Sequence, residues 1–174
     1  MTSFPATARR VRDESLSPRR RRSHLRDCLY HFAPYGFHAT WHHLATRHRI
    51  PRDVEGDPPS LVRALGELET ARALVLARAV AFAAQRRLQK QAGRRTPTTP
   101  HPWDSWGCHD IAYCPDPRKH PTGELSIVVE RVLDAYAAGV DLAGRCLVCG
   151  DDDSRPGRAC RNCGVVPDGY RNSI

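Results

Sequence analysis

The sequence predicts a mainly α fold, a helical bundle built on one long helix over about residues 60–92, with a small four-cysteine module at the C-terminal end. Three observations predict it. The stretch from Ser60 to Gln91 is bounded by Pro58-Pro59 at one end and Gly93 at the other, which are helix start and stop signals. Apolar residues recur at i, i+3, i+4, i+7 in two further segments, Leu25-Cys28-Leu29-Phe32 and Leu125-Val128-Val129-Val132. Four of the seven cysteines fall into two Cys-x-x-Cys pairs close to the C-terminus.

The chain has 174 residues and a net charge of +8, room for one modest domain with an appendage. The charge is concentrated. Residues 1–26 hold eight Arg against Asp13 and Glu14, a net +6, so the remainder carries only +2. Residues 1–22 are rich in Arg, Ser and Pro and are expected to form a disordered basic arm. Within it Arg19, Arg20, Arg21 and Arg22 are consecutive and are candidates for phosphate contacts made by releasing counterions. No apolar run follows the basic N-terminus, so no secretory signal is expected, and no stretch approaches the ~20 apolar residues that span a bilayer. An odd cysteine count with metal-like spacing favours a reducing, cytoplasmic compartment over a disulfide framework, and no membrane partner.

A helical domain is expected over residues 23–140. Its first helix spans about 23–33 with Ser23 as cap, and Pro34-Tyr35-Gly36 ends it. A second, about 37–49, is expected to turn Phe37, Trp41, Leu44 and Ala45 inward. The third, 60–92, has Glu67 and Glu69 towards its start and Arg86, Arg87 and Lys90 at its end, an order that complements the helix dipole. A coiled-coil seam fails on it, because Arg72 and Arg86 occupy partner positions of Leu65 and Ala79. Between Ala73 and Ala84 the only charge is Arg78, which predicts burial on several sides. An irregular aromatic and cysteine-bearing stretch follows at 101–121. A last helix, about 124–139, is expected to be capped by Thr122 and closed by Gly139 in a left-handed conformation.

The C-terminal module, 141–174, contains Cys146-Leu147-Val148-Cys149-Gly150, nine residues, then Cys160-Arg161-Asn162-Cys163-Gly164. A two-residue gap lets both thiolates of a pair face one tetrahedral ion, and four thiolates close a Zn2+ shell without an open position. Glycine after each pair allows the backbone to turn with its N–H groups towards sulfur. The segment at about 144–170 resembles zinc-ribbon and paired zinc-knuckle domains of transcription, replication and RNA-processing proteins. The resemblance implies one structural Zn2+ on Cys146, Cys149, Cys160 and Cys163. The short gap between the pairs also suits a rubredoxin-like iron site or a looser knuckle. Asp151, Asp152, Asp153 and Asp168 outnumber Arg155, Arg158 and Arg161 here, so a ribbon would serve as clamp or partner surface, not as the basic footprint.

Two further clusters bear on function. Cys108, His109, Cys114 and His120 could hold a second ion, completed by His38 and His42, which are four apart on one helix. The residue after His38 is Ala39, where zinc peptidases carry a Glu, so a general base is missing there. Arg86, Arg87, Arg94 and Arg95 form a second basic group at the end of the long helix. No phosphate-cradling glycine loop, dinucleotide fingerprint or Gly-x-Ser-x-Gly elbow is present, which lowers the odds of an NTPase, a dehydrogenase or an α/β-hydrolase. The expectation is a small intracellular zinc-binding accessory protein that binds nucleic acid or the transcription machinery without catalysis. The alternatives are a metalloenzyme with an open His/Cys site and a structural protein–protein adaptor.

Overall fold

A computed structural model of the chain describes residues 3–99, 101–102 and 124–139. These residues are mainly helical, with α1 at Phe4–Arg12, α2 at Pro18–Leu29, α3 at Phe37–Arg47, a 3-10 turn at Val54–Gly56, α4 at Pro59–Gln91 and α5 at Leu125–Ala137. Among them there is no strand, and no helix is long and apolar enough to cross a membrane. The chain divides into two units, residues 1–69 and 70–174, and α4 runs from the first into the second. The four-cysteine module and the 103–123 stretch lie outside the described residues.

The expected disordered arm is a helical hairpin. Phe4, Thr7, Ala8 and Val11 stand at i, i+3, i+4, i+7 and are all buried, so α1 carries an apolar face that the polar average of residues 1–22 conceals. Burying the side chains of Phe4 and Val11 stabilises it by roughly 1.5–3 kcal/mol each. Arg9, Arg10 and Arg12 fall in its last turn, where cations favour the helix dipole. Asp13 then accepts from both the N–H and the hydroxyl of Ser15, at 3.0 and 2.6 Å, and these bonds hold its carboxyl below the usual carboxylate range. Ser17, not Ser23, caps α2: its hydroxyl accepts from Arg20 N at 3.4 Å, and Pro18 occupies the first turn, where a missing N–H does no harm. α1 packs along α2.

In the first unit α2 buries Leu25, Cys28 and Leu29, α3 buries Thr40, His43 and Leu44, and α4 buries Ser60, Leu61, Ala64, Leu65 and Leu68. The inward face of α3 is therefore Thr40, His43 and Leu44; Phe37 and Trp41, expected inside, are only half-buried. Gly36 precedes α3 at φ +81°, a left-handed position that suits glycine. Ser60 lies inside the first turn of α4 and donates back to Asp57 O at 2.6 Å, because Pro59 already provides the helix start.

The far end of α4 closes as expected. Gly93 has φ +77°, its N–H bonds Lys90 O at 3.0 Å, and Arg94 N–H bonds Gln89 O at 2.9 Å, the paired bonds of a Schellman motif. In the second unit α5 buries Leu125, Val128, Val129, Val132 and Leu133. Glu124, not Thr122, stands at its N-cap, and Gly139 at φ +70° follows its end as predicted. Arg78 pairs with Asp134, tying α4 to α5. The expected burial of residues 73–84 on several sides is not met: Val75 is fully buried, but Leu76 and Val80 are 39% and 69% exposed, as is Leu88 further on at 66%. The apolar composition of this half reflects alanine, which favours helix without needing cover.

Candidate nucleic-acid interface

Helical phase sorts the four consecutive arginines. Arg21 falls on the side of Leu25, Cys28 and Leu29 and is 6% exposed. Its Nε donates to Val11 O at 2.7 Å, satisfying one of the last carbonyls of α1. It is thus committed to the hairpin and withdrawn from the expected phosphate set. Arg19, Arg22 and Arg26 stand at i, i+3, i+7 on another face. Arg20 is exposed.

Arg22 reaches across to the connection before α4, where its Nη1 donates to Arg52 O at 2.9 Å. Arg19 Nε is 3.6 Å from Glu55 Oε1, an exposed pair of little energetic weight. Together Arg19, Arg22, Arg52, Asp53 and Val54 line an open groove of about 510 Å3. The residues lining the groove thus include three arginines and one aspartate, with Glu55 beside it. No acidic residue occupies the first turn of α2, so the positive end of its dipole adds to the same field. Arg52 is the groove residue that sequence reasoning missed; it sits alone in a loop, and only the fold brings it to the basic run.

Towards its C-terminal end the same face of α2 meets aromatic rings. The Arg26 guanidinium lies 5.6 Å from the Phe37 ring centroid and 5.7 Å from that of Trp41. Tyr30 stacks on Phe37 with centroids 4.8 Å apart and planes tilted by 31°. His38 is exposed and meets Phe37 edge-on.

The second basic group is divided between structure and surface. Arg86 donates to the carbonyls of Arg94 and Arg95, closing the turn after α4. Arg87, Arg94 and Arg95 remain exposed, with Arg87 Nε bonded to Ala83 O at 3.3 Å.

The histidines form a different cluster from the expected one. His43 Nε2 lies 2.9 Å from Glu67 Oε1, and His48 Nε2 and Arg47 Nε lie 2.5 and 3.0 Å from Glu67 Oε2. A carboxylate only accepts, so both imidazoles carry hydrogen at Nε2 and donate. The Glu67 side chain is 7% exposed and that of His43 is fully buried. This makes a buried tie between α3 and α4. His42 is half-buried, and desolvation, then the neighbouring His43, hold its pKa below the ordinary value. Among the described residues no three His, Cys, Asp or Glu side chains are placed to hold a metal ion. Cys108, His109, Cys114 and His120, with Cys146, Cys149, Cys160 and Cys163, lie outside those residues.

Compared with known protein families, curated proteins and solved structures, the chain matches none.

Proposed function

We propose that this chain is a zinc-holding accessory protein that binds nucleic acid, or works within nucleic-acid machinery, without catalysis. The observation that carries the reading is the groove in which Arg19 and Arg22 of α2 meet Arg52. Guanidinium groups on one helix face match a run of phosphates, and binding there releases condensed counterions. The hairpin holds these arginines in place, so little chain ordering opposes binding. The four cysteines support a separate structural role, one Zn2+ on Cys146, Cys149, Cys160 and Cys163 giving a fold to a segment with almost no apolar core.

Titrating labelled oligonucleotides across ionic strength tests the reading. Affinity is expected to fall steeply with salt, and the double change Arg19→Ala, Arg22→Ala to lower the log–log slope by about two. A slope untouched by that change would remove the groove from the reading. Elemental analysis of the purified chain is expected to find one zinc per molecule, lost when Cys146 and Cys163 are changed to Ser. Zinc retained by that variant would assign the ion to other ligands.

A further inference from the structure

We infer that the nucleic acid bound at α2 is single-stranded, with unpaired bases stacking on Tyr30 while the phosphates follow Arg26, Arg22, Arg19 and Arg52. The inference rests on the nucleic-acid reading above and specifies its substrate class.

Arg19, Arg22, Arg26 and Tyr30 stand at i, i+3, i+7, i+11, so they form one stripe along the helix, about 16 Å from end to end. Tyr30, at the C-cap, still has helical dihedral angles and keeps this phase. The residue is 77% exposed although its ring rests against Phe37. A large ring standing in water is ordinary when solitary. This one is supported by a second ring, which the Arg26 guanidinium in turn covers together with Trp41. The result is a braced aromatic platform at the end of a row of cations.

That combination discriminates between forms of nucleic acid. In a duplex the base faces are occupied by their neighbours, and only phosphates and groove edges are offered to a protein. A platform has nothing to stack on there. In a single strand each base has an available face, and aromatic side chains beside a basic groove are how such strands are held with little sequence preference. Single-stranded RNA and DNA share this chemistry, and only a contact to the 2′-hydroxyl would separate them.

The test is fluorescence anisotropy on the full chain with single-stranded RNA, single-stranded DNA and duplex DNA of equal length, each across salt. Both single strands are expected to bind more tightly than the duplex. Tyr30→Leu is expected to weaken single-strand binding about tenfold without altering the salt slope, and Tyr30→Phe to retain it. Because Tyr30 is exposed, both variants are expected to unfold at the wild-type temperature, which circular dichroism checks. If Tyr30→Leu binds like the wild type, or the duplex binds as well as the single strands, the inference is overturned; in that case the Arg19→Ala, Arg22→Ala variant still reports on the nucleic-acid reading. If no oligonucleotide binds in a salt-dependent way, both fall together. A difference between RNA and DNA identifies the strand without affecting the stacking argument.

Discussion

Glu67 is tightly held among the described residues. Its two oxygens receive His43 and Arg47 from the last turns of α3 and His48 from its C-cap, and the carboxylate side chain is only 7% exposed. Removing the carboxylate would take away the acceptor shared by a fully buried imidazole, a largely buried one and a partly exposed guanidinium. Glu67→Ala is expected to destabilise the first unit by about 3 kcal/mol, measured by urea denaturation, while changing the partly exposed Arg47 alone does much less. The importance of Glu67 was only half legible. Sequence places it early in a helix, where an acid is favourable anyway, and offers no sign of which of five nearby histidines it binds. The i, i+4 spacing of His38 and His42 suits a metal. His43, one position further, is rotated by about 100° and points into the protein.

At the level of elements, α2 is the clearest case of phase overriding composition. A run of four arginines reads as solvent-exposed when averaged. Its helical period sends Arg21 to the inner side and leaves Arg19 and Arg22 outside. α1 was hidden for the same reason, since Phe4, Thr7, Ala8 and Val11 are diluted by the polar residues between them. The C-terminal ends of α4 and α5 were legible, whereas the N-caps of α2, α4 and α5 were not. Gly93 and Gly139 mark the last turns of α4 and α5 correctly, because left-handed backbone is a local requirement that glycine meets at little energetic cost. The face of α4 depends on what packs against it, which no local signal records. One helix therefore contains leucines of very different weight. Leu68→Ala, at a fully buried position, is expected to destabilise by about 2–5 kcal/mol, and Leu88→Ala, two-thirds exposed, by less than about 0.5 kcal/mol. Equal effects in thermal denaturation would mean that α4 is covered along its whole length.

On the scale of the whole molecule, charge and fold are coupled in an unexpected way. The first 26 residues carry +6 of the net +8, and they form a folded hairpin. A disordered arm would have to lose conformational freedom on meeting a polyanion, whereas arginines on a packed helix have already been placed. Under the proposed function such a fixed array would also distinguish the form of a nucleic acid, since the spacing from Arg19 to Tyr30 is set by the helix. The mainly helical class was legible from residue 23 onward, for apolar periodicity is a whole-element property, while α1 and the first turn of α2 were read as a disordered arm. The basic groove was legible only in part. Arg19 and Arg22 could be named from their run, but Arg52 and the ring pair of Tyr30 and Phe37 come together through contacts between segments that are distant in sequence.

The hydrogen bond from Arg21 to Val11 O, with the buried side chains of Phe4 and Ala8, changes what a truncation at Ser23 would measure. Such a cut looks like the removal of a dispensable tail. It would instead remove α1, which packs along α2, together with the first turn of α2, exposing new apolar surface at the same stroke as it deleted the charge. A shortened protein that no longer bound an oligonucleotide would then be reporting misfolding or aggregation, and one that bound it more strongly could be doing so through stickiness. Point substitution at the outward-facing arginines separates charge from architecture; excision does not.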